Sequence, residues 1–172
     1  RGAAPNSLTI LDITNPLDPV PIVGGTGGTV SLGGAVRDIT VSGPYAYLAT
    51  ADSAREFVRV NVVNAASPVI DSVADLDGGA FGLTLAGTVA YVVGSANSQE
   101  LALIGNGPGG VLGVIGSLDV DGNPSANVGI TTVVRGTTAF LGADNGFYSI
   151  DISNPASPVK LGELLFGGSV RD

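Results

Sequence analysis

The sequence predicts an all-β fold of repeated four-stranded antiparallel units, and three observations carry that prediction. Residues 8–20 (LTILDITNPLDPV), 57–69 (FVRVNVVNAASPV) and 148–159 (YSIDISNPASPV) are versions of one segment. Apolar residues alternate with polar ones in short β-branched runs, and no stretch offers a capped amphipathic pattern long enough for a helix. Gly 27 and Pro 10 supply about a fifth of the 172 residues, enough for many tight turns without reaching a low-complexity composition.

Each element follows from its place in the period. Pro19, Pro68 and Pro158 stand at the same point of the repeated segment, at spacings of 49 and 90, and the second spacing is about two periods of roughly 45 residues. A degenerate copy fills the gap: shifting residues 149–162 back by 46 pairs Ile150 with Ile104 and Gly162 with Gly116, while Asp151 becomes Gly105 and Pro158 becomes Leu112. A first strand begins after the small doublets Gly33-Gly34, Gly78-Gly79, about Ala126-Asn127, and Gly167-Gly168. A second strand follows a turn glycine, in Gly43-Pro44-Tyr45-Ala46-Tyr47, Gly87-Thr88-Val89-Ala90-Tyr91 and Gly136-Thr137-Thr138-Ala139-Phe140. The third and fourth strands flank Asn-Pro and Ser-Pro steps, which bias the chain to extended or turn conformations and therefore read as loop.

Four short antiparallel strands per period of 40 to 50 residues is the arithmetic of a β-propeller blade. A sandwich would not repeat the same loop at every fourth strand. The segments LTILDITNPLDPV and YSIDISNPASPVKLG, each with its Gly-x-x-Ala-aromatic strand, resemble LVIVD-repeat β-propellers. That resemblance implies secreted or cell-surface location. It implies no catalytic residues, because the family is defined by its repeat.

In register, the chain holds about four blades' worth of sequence and begins and ends inside blades. Residues 1–32 are expected to form a partial blade of third and fourth strands, with the strands near 8–13 and 19–24. Blades follow over 33–77, 78–125 (degenerate) and 126–166, and residues 167–172 open a further first strand. Gly167-Gly168-Ser169-Val170-Arg171-Asp172 nearly repeats Gly33-Gly34-Ala35-Val36-Arg37-Asp38, so a strand equivalent to 39–50 is due from further sequence or from a partner. The expected partners are other copies of the chain or the remainder of a larger propeller.

Composition excludes several functions. A formal net charge of −8, with Lys160 the single lysine, repels phosphate backbones and anionic membranes. The longest apolar run, near residues 80–94, is broken by Thr84, Gly87 and Thr88 and falls short of a membrane span. With His 0 and Cys 0 the chain has no Ser-His or Cys-His nucleophile system and no thiolate metal site, so no enzymatic activity is expected. No N-x-[ST] sequon is present.

The motifs that remain are weighed against the repeat. Gly105-Asn106-Gly107-Pro108-Gly109-Gly110 matches G-x-G-x-x-G, but Val111 to Ile115 reads as a strand where a dinucleotide site needs a helix. It is expected to be a glycine-rich version of the repeated loop, and no cofactor is expected. Asp119, Asp121 and Asn123, around the turn glycine Gly122, form the candidate calcium site: alternating carboxylates and an amide suit a hard cation. The glycine is at the fourth rather than the sixth place of an EF-hand loop and the twelfth place is Ile130, so a polar turn is the competing reading, supported by Asp75 and Asp77 at a similar place. Asp12, Asn61 and Asp151 recur at one phase and are expected to make hydrogen bonds that organise each blade. Tyr45, Tyr47, Tyr91 and Phe140 are expected to pack between blades, and Arg37 to pair with a carboxylate. The overall expectation is a non-catalytic extracellular or cell-surface interaction module, with a ligand- or calcium-binding propeller as the alternative.

Overall fold

The computed structural model describes residues 6–96, 99–107, 112–122 and 128–166, and in them the chain is all-β, with sixteen strands and no helix. The first unit comprises β1 (Ser7–Thr9), β2 (Leu11–Asp12), β3 (Val20–Pro21) and β4 (Thr29–Ser31), pairing β1 with β4 and β2 with β3. Three four-stranded antiparallel meanders follow. They are β5 (Val36–Ser42) to β8 (Val69–Ala74), β9 (Ala80–Ala86) to β12 (Leu112–Leu118), and β13 (Gly129–Arg135) to β16 (Val159–Leu165). Within them lie β6 (Tyr45–Thr50), β7 (Phe57–Asn61), β10 (Val89–Ala96), β11 (Gln99–Asn106), β14 (Thr138–Ala143) and β15 (Gly146–Asp151).

Local chemistry explains the hairpins. The first and second strands of each meander join through a two-residue turn whose first member, Gly43, Gly87 or Gly136, has φ of 56°, 61° or 60°. That left-handed geometry matches the twist of a hairpin and strains any residue with a Cβ. Single-residue bulges also recur. One falls at Arg37, Phe81 and Ile130 in the first strands, and another at Asp71, Ile115 and Leu161 in the fourth. Each shifts the register by one residue and bends its strand.

The first unit departs from the expected strand over 19–24. Pairing stops after Val20–Pro21, and the chain makes an excursion before returning as β4. Gly24, Gly25, Gly27 and Gly28 all take positive φ there, so the segment turns instead of extending. Ile10, between β1 and β2, donates its N–H to Gly28 O at 2.8 Å and accepts from Ile22 N at 3.4 Å, which keeps both halves of the fourth strand on one partner. The excursion thus occupies the place of the one-residue bulge in the later units.

The core lies between consecutive sheets. Leu32, Ala46, Leu48, Val58 and Val60 join the first unit to the second; Phe57, Ala74, Leu83, Val92 and Ile104 join the second to the third; Leu101, Leu103, Leu141, Tyr148 and Ile150 join the third to the fourth. The second and third sheets therefore bury their two faces against different neighbours, as stacked repeat units require, while the first and fourth each bury one face among the described residues. The first strands meet at one edge of the stack: Leu83 N donates to Asp38 Oδ2 at 2.7 Å, and Thr84 Oγ1 to Thr132 O at 2.5 Å. Arg37 does not form the expected ion pair with any described carboxylate. Its guanidinium lies 5.0 Å from the Phe81 ring centroid, because both occupy the bulge of adjacent first strands. Its counterpart Arg171 lies outside the described residues.

Candidate functional site

The hydrogen bonds of Asp12, Asn61 and Asp151 are local to the loop that each one opens. Asp12, Asn61 and Asp151 accept through Oδ1 from the N–H of Thr14, Val63 and Ser153 at 2.8, 3.0 and 2.8 Å. Three residues on, Asn15, Asn64 and Asn154 accept from Leu17, Ala66 and Ala156 at 3.2, 3.2 and 3.3 Å. Two successive Asx turns thus shape each loop. In the third unit the glycine match is followed by strand β12 from Leu112, where a phosphate site needs a helix; residues 108–111 lie outside the described residues.

The candidate cation site gains a residue and loses one from view. Asn123 lies outside the described residues, while Glu100 joins Asp119 and Asp121: one carboxylate oxygen from each falls within 4.8 Å of the others. Glu100 is 2% exposed, and its Oε2 accepts the Val120 N–H at 2.9 Å. Burial pushes its carboxyl above the ordinary range, and the charges of Asp119 and Asp121 push it the same way against the Val120 hydrogen bond. Asp119 Oδ1 accepts from Asp121 N at 3.1 Å and Gly122 N at 2.6 Å, so it also serves the turn. Three carboxylates so disposed would suit a hard divalent cation, and they also suffice to build a turn.

The same pattern stands one period earlier. Glu56 is 1% exposed and accepts the Leu76 N–H at 3.0 Å, and Asp75 accepts from Asp77 N at 3.1 Å. In the outer units a backbone carbonyl does this work: Leu32 N donates to Asn6 O at 2.7 Å and Phe166 N to Asn145 O at 3.0 Å. Glu56 and Glu100 were visible in the sequence as carboxylates 44 residues apart, the first just before β7 and the second near the start of β11. A buried acceptor within a strand pattern has no signature of its own, so the recurrence was the only signal.

The aromatic residues divide. Tyr91 is buried in the core, and Tyr47 packs edge-on to Tyr45 and tilted against Phe57. Tyr45 carries the Arg59 guanidinium 4.7 Å from its centroid, and Arg59 Nε donates to Asp71 Oδ2 at 2.6 Å. Tyr45, Tyr47, Phe57 and Arg59, with Thr88 and Asn106, line a cleft of about 290 Å³ between the second and third units. Phe140 stacks on Phe147 at 5.9 Å, on the outer face of the fourth sheet, with no described unit beyond it.

That outer face is the largest departure from the internal pattern. Phe147 is 37% exposed, whereas Phe57 and Leu101 at the same repeat position are 0% exposed. Val133, Leu161, Leu164 and Leu165 are exposed in the same unit. On the first unit Leu11 and Ile13 are exposed, whereas Val60, Ile150 and Ile152, at equivalent positions, are buried or nearly so; Val62, equivalent to Ile13, is half-buried.

A family model described as LVIVD repeat matches residues 3–22, 33–75 and 132–165, more than half of the chain. No curated protein matches. Among solved structures, the computationally designed Ika8 protein is similar, with a TM-score of 0.54 and 15% sequence identity over 78% of this chain. The chain spans 38% of that protein's length, and at this identity the likeness shows the fold alone.

Proposed function

This chain belongs to the LVIVD-repeat family, and on that premise we propose that it is a non-catalytic propeller module acting outside the cell or at its surface. It works by presenting sheet faces to other copies of itself or to the remainder of a larger propeller. One observation supports this reading above others: the outer face of the fourth sheet repeats the positions that form cores elsewhere, yet Phe147 and Leu164 are 37% and 64% exposed. Contiguous exposed apolar surface of this kind marks a contact site. The lack of His and Cys is in keeping with a role without nucleophilic catalysis. Sedimentation velocity over a range of concentrations is expected to show reversible self-association, and a monomer throughout would overturn it. Protease treatment of intact source cells is expected to degrade the protein, and complete protection would refute surface exposure.

A second reading, calcium binding, is favoured by the convergence of Glu100, Asp119 and Asp121. Calcium is then expected to raise Tm in the wild type and not in Asp119→Asn or Asp121→Asn. No heat on titration and no rise in Tm would dispose of it.

A further inference from the structure

Consecutive units meet through a loop and a seat. The loop is the double Asx turn between the third and fourth strands of one unit. The seat is the residue just after the fourth-strand bulge or excursion of the unit before it. By register the four seats are Gly28, Ser72, Gly116 and Gly162.

Two joints show how they fit. In the first, the Ala65 carbonyl oxygen stands 3.2 Å from where Gly28 would carry a Cβ, and Thr26 N and Gly28 N donate to Ala66 O at 2.9 and 3.2 Å. In the last, a Cβ on Gly116 would fall inside the carbonyl oxygen of Pro155, the residue equivalent to Ala65. Gly116 thus has to be glycine for the loop backbone to approach, while Gly28 is also held to glycine by its own φ of 68° and by the Ile10 carbonyl oxygen 2.9 Å from a Cβ there. At the middle joint both halves have changed together: the seat is Ser72, and the third unit has lost the Asn-Pro loop.

Among the described residues one intact loop and one intact seat have no counterpart. The first unit's loop has both Asx turns, and Asp18 N donates to Asn15 O at 3.1 Å. Its Pro19 is exposed, whereas Pro68 and Pro158 in the seated loops are buried. Gly162 has only Ser149 Oγ within 4 Å of the place a Cβ would take. Beside it a shallow open depression of about 290 Å³ is lined by Phe147, Ser149, Gly162, Glu163 and Leu164. The faces around the two match as well: exposed Leu11 and Ile13 lie on one, exposed Phe147 and Leu164 on the other.

We propose that the first-unit loop of a second copy docks on Gly162, with the Pro16 carbonyl against the glycine and Leu17 entering the adjoining depression. This rests on the self-association reading above and names its surfaces. Leu17 is 94% exposed and occupies the place of Ala66 and Ala156, so burying it is a gain that docking supplies. The contact is heterologous, and it builds rings or filaments according to its angle. With a net charge of −8 on each copy, assembly strengthens as salt screens the repulsion.

Two variants test this in the full chain. Gly162→Trp fills the seat and leaves the loop; Ile13→Asp with Leu17→Asp spoils the loop face and leaves the seat. Each alone is expected to sediment as a monomer with an unchanged circular dichroism spectrum. An equimolar mixture retains one good loop and one good seat, so it should form a one-to-one heterodimer and nothing larger. Should Gly162→Trp fail to fold, Gly162→Val serves as the smaller block. Wild-type-like assembly by either variant alone overturns the docking proposal while leaving self-association intact, and a mixture without heterodimer overturns it too. A wild type that is monomeric at every concentration overturns both.

Discussion

The joint between the third and fourth units and the outer face of the fourth unit use the same repeat positions with opposite results. Leu101, Leu103 and Gly116 are enclosed by Tyr148, Ile150 and the Pro155 loop, while Phe147, Ser149 and Gly162 have no described unit against them. The strands themselves are alike, each with a fourth-strand bulge and the same register around it. The contrast teaches that in this chain a sheet face is half a core, and its neighbour decides whether the apolar side chains leave water. Burying one such side chain fully stabilises by about 1.5–3 kcal/mol, so an open face forgoes several such contributions at once.

The sharpest way to break that comparison is to place one substitution on both sides of it. Gly116→Leu must move the Pro155 loop backbone, and overpacking of this sort costs about 3 kcal/mol or more. For a chain of this length that lowers Tm by roughly 6–12 °C. Gly162→Leu meets nothing beyond Ser149 Oγ and is expected to change stability by less than about 0.5 kcal/mol. Thermal unfolding of the two variants measures the difference directly, and equal losses would show that the two glycines are not in different environments.

A smaller effect separates the middle units from the outer ones. Glu56→Ala removes the acceptor of the buried Leu76 N–H and is expected to cost about 1–3 kcal/mol in urea denaturation. Glu56→Gln keeps an acceptor oxygen in place and should cost less than about 0.5 kcal/mol. At the equivalent place in the fourth unit stands Gly146, where Asn145 O takes the bond from Phe166 instead, so the carboxylate is a substitute for backbone and not a general need. If Glu56→Gln were as damaging as Glu56→Ala, the charge and not the hydrogen bond would be what matters.

Much of this was legible because it repeats. The 46-residue shift that pairs Gly162 with Gly116 is also the shift between their ladders, where Gly162 faces Ser149 and Gly116 faces Leu103. Asp12, Asn61 and Asp151 declared their Asx turns because only a short side chain with an acceptor suits that phase. The first unit's fourth strand was misplaced because hydrophobic runs such as Val20 to Val23 carry no information about where pairing stops. The glycines that end it act through φ, and glycine in a sequence does not announce its sign. Glu100 was missed because a single acidic residue beside an apolar run reads as a strand edge; its carboxylate is held by the Val120 N–H, which the end of the fourth strand brings back to it.

Acid makes the finest cut, between loops closed by a carboxylate and a loop closed by an amide. The backbone N–H of Thr14 holds the Asp12 carboxyl below its ordinary value of 3.8, its hydroxyl adding to the effect, and Ser153 does the same for Asp151. A carboxyl depressed in the folded state contributes stability that is fully present above that ordinary value and is lost as pH falls through the depressed one. Asn61 makes the same bond to Val63 and does not titrate. On acidification the amide resonances of Thr14 and Ser153 should therefore shift with midpoints below 3.8, while that of Val63 stays still. Asp12→Asn should abolish the shift at Thr14 without moving that at Ser153. Because the first-unit loop is also the docking loop, self-association should weaken over the same acid range in the wild type and hold in Asp12→Asn. Loss of association at equal pH in both would assign the acid sensitivity to another group.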